Sequence, residues 1–254
     1  MFGTDKVFLE SSIKFGIIEY GKRFNGIFNQ LNSYVRQLKT SKSANLMSIL
    51  LHGDAGNGKT SLACHIAMNS GFPYVKLISP SQLAKLNESG KAQEIMNIFE
   101  NAYKSPLSFI VIDNIERVIE YIKIGPRFSN LILQSLLVYI NKAPIKKDHK
   151  LIIIGTTNIA DRLDDLELVN VFNHKLKLPN LAYDEVSNVL KTYNDIDSDV
   201  SDKITKMFKD KNKFISIKNL LMSLDETIQQ KGNNFTFEDY KEIMDLKEYE
   251  NDLF

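Results

Sequence analysis

Eight residues, Gly53-Asp54-Ala55-Gly56-Asn57-Gly58-Lys59-Thr60, make a complete G-x-x-x-x-G-K-T pattern. Three glycines let the backbone curl until its N–H groups point inward, a cradle for phosphate oxygens. In such a loop the lysine, Lys59, reaches the β- and γ-phosphates of a nucleotide, and the Thr60 hydroxyl holds Mg²⁺. The flanks constrain the fold as much as the octet does. An apolar run at 46–51 precedes it as a strand, and an uninterrupted helical pattern at 60–69 follows it. Strand, glycine loop and helix N-terminus together form an anion site, because unpaired helix N–H groups attract phosphate. A glycine-rich turn with a chance Lys-Thr is the competing reading, and the strand–loop–helix context weighs against it.

The rest of the first 180 residues repeats this alternation. Apolar runs at 47–52, 74–78, 108–112, 151–155 and 175–178 predict strands, and the patterns at 62–69, 92–103 and 128–140 predict helices. Alternating strands and helices imply an α/β fold with a mostly parallel sheet covered on both faces. Phe109-Ile-Val-Ile112 and Leu151-Ile-Ile-Ile154 are apolar at every position, as strands buried on both faces are. After Pro179-Asn180 helical periodicity takes over: Ile217, Leu220, Leu221, Leu224 and Ile228 share one helix face. The expected division is a nucleotide-binding α/β domain at 1–180 and a small helical lid domain at 181–254. Polar 194–201 reads as a loop between helices, and acidic 238–252 as a solvated final helix or a fraying end.

Bulk properties exclude several classes. With 43% hydrophobic and 25% charged residues over 254 positions, the chain has the balance of an ordinary globular protein. A net charge of +1 gives no push toward nucleic acid. No apolar stretch approaches the roughly 18–20 residues of a membrane span, so no membrane insertion is expected. The N-terminus, Met1-Phe-Gly-Thr-Asp5, lacks a secretory pattern, and the single cysteine, Cys64, rules out an intrachain disulfide framework. A cytoplasmic location is the expectation, with Cys64 a buried structural thiol.

Four apolar residues ending in an acid put Asp113 at the carboxyl end of a buried strand, where open α/β sheets bind ligands. Asp113 is the expected second holder of the Mg²⁺ shell, 54 positions after Lys59. Many ATPases of this design carry Glu next, to polarise the attacking water, but here the residue is Asn114. An amide orients water without accepting its proton, and a general base contributes about 10²–10⁴ in rate. Glu116 is a substitute base only if it faces the same water; otherwise it is a surface carboxylate. Thr156-Thr157-Asn158 follows another long apolar run, and Asn158 fits a γ-phosphate sensor, or else a strand-end turn. Arginine is scarce: Arg23, Arg36, Arg117, Arg127 and Arg162 are all there is. An arginine finger is worth about 10³–10⁵ in turnover. Lys218, opening the 217–228 helix, is a cruder lid sensor or a solvated helix-end lysine.

With these residues placed, the chain resembles AAA+ ATPases, and more narrowly the second ATPase module of the N-ethylmaleimide-sensitive fusion protein (vesicle-fusing ATPase) family. The resemblance covers about 2–224 and rests on Phe2-Gly-Thr4, Gly16-Ile-Ile-Glu-Tyr-Gly21 and the glycine loop. Ala102-Tyr-Lys-Ser-Pro106, Ile124-Gly-Pro-Arg-Phe-Ser-Asn130, Ile153-Ile-Gly-Thr-Thr157 and Ile217-Lys218 complete it. It implies an AAA+ large domain with a five-stranded parallel sheet and a helical lid. It implies that Gly16, Ile17, Ile18 and Tyr20 meet adenine, and that Ser61 and Leu62 join the loop in holding ATP and Mg²⁺. Family members form hexamers that, with SNAP adaptors, disassemble SNARE complexes; the second module binds ATP tightly, hydrolyses it slowly and holds the hexamer together. Asn114 and the arginine-free 165–175 segment extend that trend, and Ser81–Glu88 stands where a substrate-gripping aromatic-Val-Gly motif would be. If the chain ends at 254, the resemblance implies that the adaptor-binding domain and the active ring are absent from it. The favoured expectation is a nucleotide-dependent assembly module. The alternatives are a competent motor that remodels proteins directly and, less well supported, a small-molecule kinase.

Overall fold

The computed structural model describes residues 5–13, 16–124, 127–192, 196–211 and 213–252, with 247–252 described by backbone alone. Phe2-Gly-Thr4, Gly125-Pro126 and the 194–195 part of the expected loop lie outside the described residues.

In chain order the elements are α1 (Lys6–Ser11), α2 (Lys22–Thr40), β1 (Leu46–His52), α3 (Lys59–Asn69), β2 (Tyr74–Ile78), α4 (Pro80–Leu83), α5 (Glu88–Lys104), β3 (Leu107–Ile112) and α6 (Ile115–Val118). They continue as α7 (Asn130–Asn141), β4 (Lys150–Thr157), α8 (Ala160–Asp164), β5 (His174–Lys177), α9 (Tyr183–Thr192), α10 (Ser198–Asp210), α11 (Ile217–Lys231) and α12 (Phe237–Asp252). The five strands pair in parallel in the order β2-β3-β4-β1-β5. The expected α/β fold with a five-stranded parallel sheet is therefore the observed one.

The chain divides into two compact units. The first takes 1–17, 26–53 and 59–178. Its sheet shows why the central strands are apolar at every position. Strand side chains alternate between faces, and Leu50, Ile110, Ile112, Leu151 and Ile153 join one core with Ile95 and Phe99 of α5 and Leu133 and Leu136 of α7. Ile49, Leu51, Phe109, Val111, Ile152 and Ile154 are equally buried and belong to the opposite face. Among the described residues, Asp5 sits against the middle of the β2 rim. Asp5 N–H donates to Val75 O (3.2 Å), its Oδ2 accepts from Leu77 N–H (3.2 Å), and its Oδ1 pairs with Lys76 Nζ at 2.7 Å.

The second unit comprises 18–25, 54–58 and 179–254, with α9–α12 as its helices. Two expectations change here. Positions 198–201 lie in α10, not in a loop: the Asp197 side chain caps the helix by accepting from Asp199 N–H, and Val200, Ile204 and Phe208 form a buried stripe. The acidic tail is a packed helix over its first two turns. Tyr240, Ile243 and Met244 are buried, and the Tyr240 hydroxyl meets Ser223 Oγ at 3.1 Å. An apolar stripe of i, i+3, i+4 spacing hides there among surface acids.

Candidate active site

In the first unit the sheet brings β1, β3 and β4 to one edge, with β4 between the other two. Backbone φ at Gly53, Gly56 and Gly58 is +137°, +85° and +84°, the turned conformation that the glycine spacing requires. Lys59 is buried, and its Nζ donates to Gly53 O at 2.7 Å. Thr60 follows on the first turn of α3, where its Oγ1 donates to Asp113 Oδ1 at 2.5 Å. Asp113, also buried, stands one residue past β3, and its N–H is fixed by Ile78 O at 2.8 Å. Its Oδ1 accepts a second bond from Thr156 Oγ1 at 2.8 Å.

Asn114 turns the chain into α6 with φ +50°, and its N–H donates to Thr156 Oγ1 at 2.9 Å. Its Nδ2 donates to Asp113 Oδ2 at 3.0 Å, and its Oδ1 accepts from Asn158 Nδ2 at 3.3 Å. Asn158 Nδ2 also donates to Glu116 Oε1 at 3.0 Å, and that oxygen accepts from Asn158 N–H at 3.2 Å. Glu116 is thus neither exposed nor solitary: it is buried, and its Oε2 has no hydrogen-bond partner among the described residues. The alternative of a surface carboxylate is corrected on that ground. Gly155 permits this arrangement, because a Cβ there would stand 2.6 Å from Ile115 Cδ1 and from Phe172 Cζ.

The other expected contact residues are placed as follows. Ser61 Oγ donates to Ser12 O at 3.0 Å, and Leu62 is buried. Gly16 has φ +69°, and Ile17 and Ile18 are half-buried. In the second unit Tyr20 is buried against Phe24 (ring centroids 4.8 Å), and its carbonyl accepts from Asn188 Nδ2 at 2.9 Å. Ala55 is exposed and Asn57 is buried. The Lys218 side chain is exposed, and its backbone N–H donates to Gly56 O at 3.0 Å.

Sequence reasoning gave Thr156 no task, although it joins Asp113 to Asn114. It also missed Arg23, which forks onto the buried carboxylate of Glu185, with Nε donating to Oε1 at 2.9 Å and Nη2 donating to Oε2. The pair is 162 positions apart, a separation with no local signature. The remaining four arginines are exposed. Cys64 is buried, its thiol pushed up to about 12 by burial, so it stays protonated and inert at neutral pH.

Burial, reinforced by the Glu185 charge, pushes the Tyr20 hydroxyl up to about 12. An acid whose folded value lies above its unfolded value of about 10 holds its proton longer when folded. Its contribution is complete below pH 10 and is lost as pH rises from about 10 to 12. Tyr20→Phe is expected to flatten the alkaline loss of stability by about 1 kcal/mol per pH unit in that window. Urea unfolding at pH 9 and pH 11 checks it.

A phosphate loop leading from a parallel strand into a helix, with an acid at the end of the next strand but one, defines a P-loop nucleotide-binding protein. The family model for the ATPases associated with various cellular activities (AAA) matches residues 49–180, and the chain belongs to that family. Its similarity within the family lies with vesicle-fusing ATPases. It is 41% identical over 197 residues to vesicular-fusion protein SEC18 of Saccharomyces cerevisiae, covering 77% of this chain and 26% of that one. The vesicle-fusing ATPase of Dictyostelium discoideum is 45% identical over 181 residues, 71% of this chain and 24% of the relative. That of Arabidopsis thaliana is 36% identical over 228 residues, 90% and 30%. The chain thus spans about a quarter of the length of the curated relatives it matches. Among the described residues no helix is long and apolar enough to cross a membrane.

Proposed function

We propose that this chain is an ATP-holding module of a vesicle-fusing ATPase, corresponding to the second ATPase module, with residues 1–180 as its nucleotide-binding domain and 181–254 as its lid. Its main work is to stabilise a hexamer in the cytoplasm that, with SNAP adaptors, disassembles SNARE complexes; its own ATP hydrolysis is slow. The observation that carries this reading is Asn114, a neutral amide tied to Asp113 and Asn158 at the position where a general base is needed. The donor set fits the ligands. Thr60 Oγ1 and Asp113 Oδ1 converge as hard oxygen donors suited to Mg²⁺, and Lys59 places its cation beside the glycine loop. When bound, Mg²⁺ neutralises charge on the β- and γ-phosphate oxygens. A ligand at 1,000 times its Kd adds about 4.1 kcal/mol to the state that binds it, so ATP stabilises an assembly without being consumed.

Native mass with and without ATP·Mg²⁺, and phosphate release from the same sample, test the reading together. A hexamer with turnover well below the usual one per second or more is expected. Rapid turnover would instead make the chain a motor that remodels proteins directly. Asn114→Glu alone is expected to raise turnover less than about tenfold, against the 10²–10⁴ of a working base. The new carboxyl has to take the place of an amide that donates to Asp113 Oδ2, and no finger arginine is supplied. The lost hydrogen bond is expected to cost about 1–3 kcal/mol of stability. Fast phosphate release in this variant would show that the base was the sole defect.

A further inference from the structure

The hydrogen bonds around Asn158 run in one direction only. A carboxylate accepts and does not donate. Asp113 Oδ2 therefore takes the amide nitrogen of Asn114, which turns the Asn114 oxygen toward Asn158. Glu116 Oε1 likewise takes the amide nitrogen of Asn158. Two acceptor-only groups thus settle the orientation of both amides, which would otherwise have two near-equivalent settings. An amide nitrogen has two hydrogens, and those of Asn158 go to Asn114 Oδ1 at 3.3 Å and Glu116 Oε1 at 3.0 Å. Its backbone N–H goes to Glu116 as well, at 3.2 Å.

We infer that Glu116 is a positioning residue that, together with Asn114, withdraws both amide hydrogens of Asn158 from the bound nucleotide. Asn158 then offers only its carbonyl oxygen, an acceptor that phosphate oxygens do not bind. Lys59 is left without the second γ-phosphate donor that Asn158 would supply, and the site lacks a base as well. This inference rests on the reading that the site holds ATP, and it adds a specific consequence: discrimination between ATP and ADP is weaker than the residue types at the site suggest.

The test is the ratio of ATP to ADP affinity, each measured by calorimetry with Mg²⁺. A general loosening of the site lowers both affinities, whereas a new donor to the γ-phosphate raises only that for ATP. Glu116→Met removes the acceptor at similar length and is expected to raise the ratio about tenfold, the value of one hydrogen bond to a charged oxygen. Glu116→Gln keeps an acceptor and is expected to leave the ratio at its wild-type value. Asn114→Gly suits the positive φ at that position, frees the second hydrogen without touching Glu116, and is expected to raise the ratio too. Adding Asn158→Ala to either raised variant is expected to remove the gain. An unchanged ratio in both Glu116→Met and Asn114→Gly, with ADP still bound, overturns the inference and leaves the ATP reading standing. Wild-type protein that binds neither nucleotide overturns both.

Discussion

Lys59→Ala is expected to abolish ATP binding at micromolar concentrations and, with it, nucleotide-dependent assembly. The Lys59 ammonium is buried and donates to the carbonyl of Gly53, so it is held where the loop turns before any ligand arrives. Truncating one member of a buried charge pair typically costs about 2–5 kcal/mol, roughly 30-fold to several thousand-fold in affinity. Because assembly is coupled to occupancy, the native mass in ATP·Mg²⁺ is expected to fall to that of the nucleotide-free protein. Titration calorimetry and native mass spectrometry read the two effects separately. A variant that binds ATP within about threefold of wild type would remove the glycine loop from the argument altogether.

Gly53→Ala acts by a different route and is expected to damage the fold first. Gly53 has φ +137°, and a Cβ built on it lies 2.2 Å from Leu178 O and 3.1 Å from Leu178 C. Leu178 is itself buried and pinned by its N–H to His52 O at 2.8 Å. Neither side of this contact is a flexible side chain, so backbone has to move. Overpacking costs about 1–3 kcal/mol and a strained backbone conformation about as much again. A loss of roughly 3 kcal/mol or more is expected, near a 10 °C fall in Tm for a chain of this size. A thermal melt without nucleotide distinguishes the two variants: Gly53→Ala melts early, whereas Lys59→Ala keeps its secondary structure and loses its ligand. A Gly53→Ala protein with wild-type Tm would mean that the turn relaxes at little cost.

How far such outcomes are legible in advance depends on the range of the interaction. All five strands lie within two residues of the expected positions; the central ones are legible because a strand covered on both faces has to be apolar throughout, as Phe109-Ile-Val-Ile112 is. The 59–69 helix and the turned glycines follow from short-range spacing. The sequence reading passed over α2 although its pattern is local: Phe24, Leu31, Val35 and Leu38 recur at helical spacing and are buried along one face. Positions 198–201 were missed because the window was short: one valine in a polar stretch is visible as helix only once Ile204 and Phe208 are counted with it. At the site, Asp113, Asn114, Glu116 and Asn158 could each be singled out by type. Their mutual hydrogen bonds could not, because β3 and β4 meet only through their register, Ile112 opposite Gly155. The Arg23–Glu185 fork was beyond reach for the same physical reason at longer range.

A sheet grows wherever a rim strand has free N–H and C=O groups, and a neighbouring molecule can supply the next strand. Asp5 obstructs that possibility at the middle of β2, because one residue supplies both the donor to Val75 and the acceptor for Leu77. Copies of this chain cannot zip together backbone to backbone there without first evicting Asp5 and breaking its ion pair with Lys76. Contact there is left to side chains, whose shape and charge can discriminate one neighbour from another in a way that a bare ladder of amides cannot.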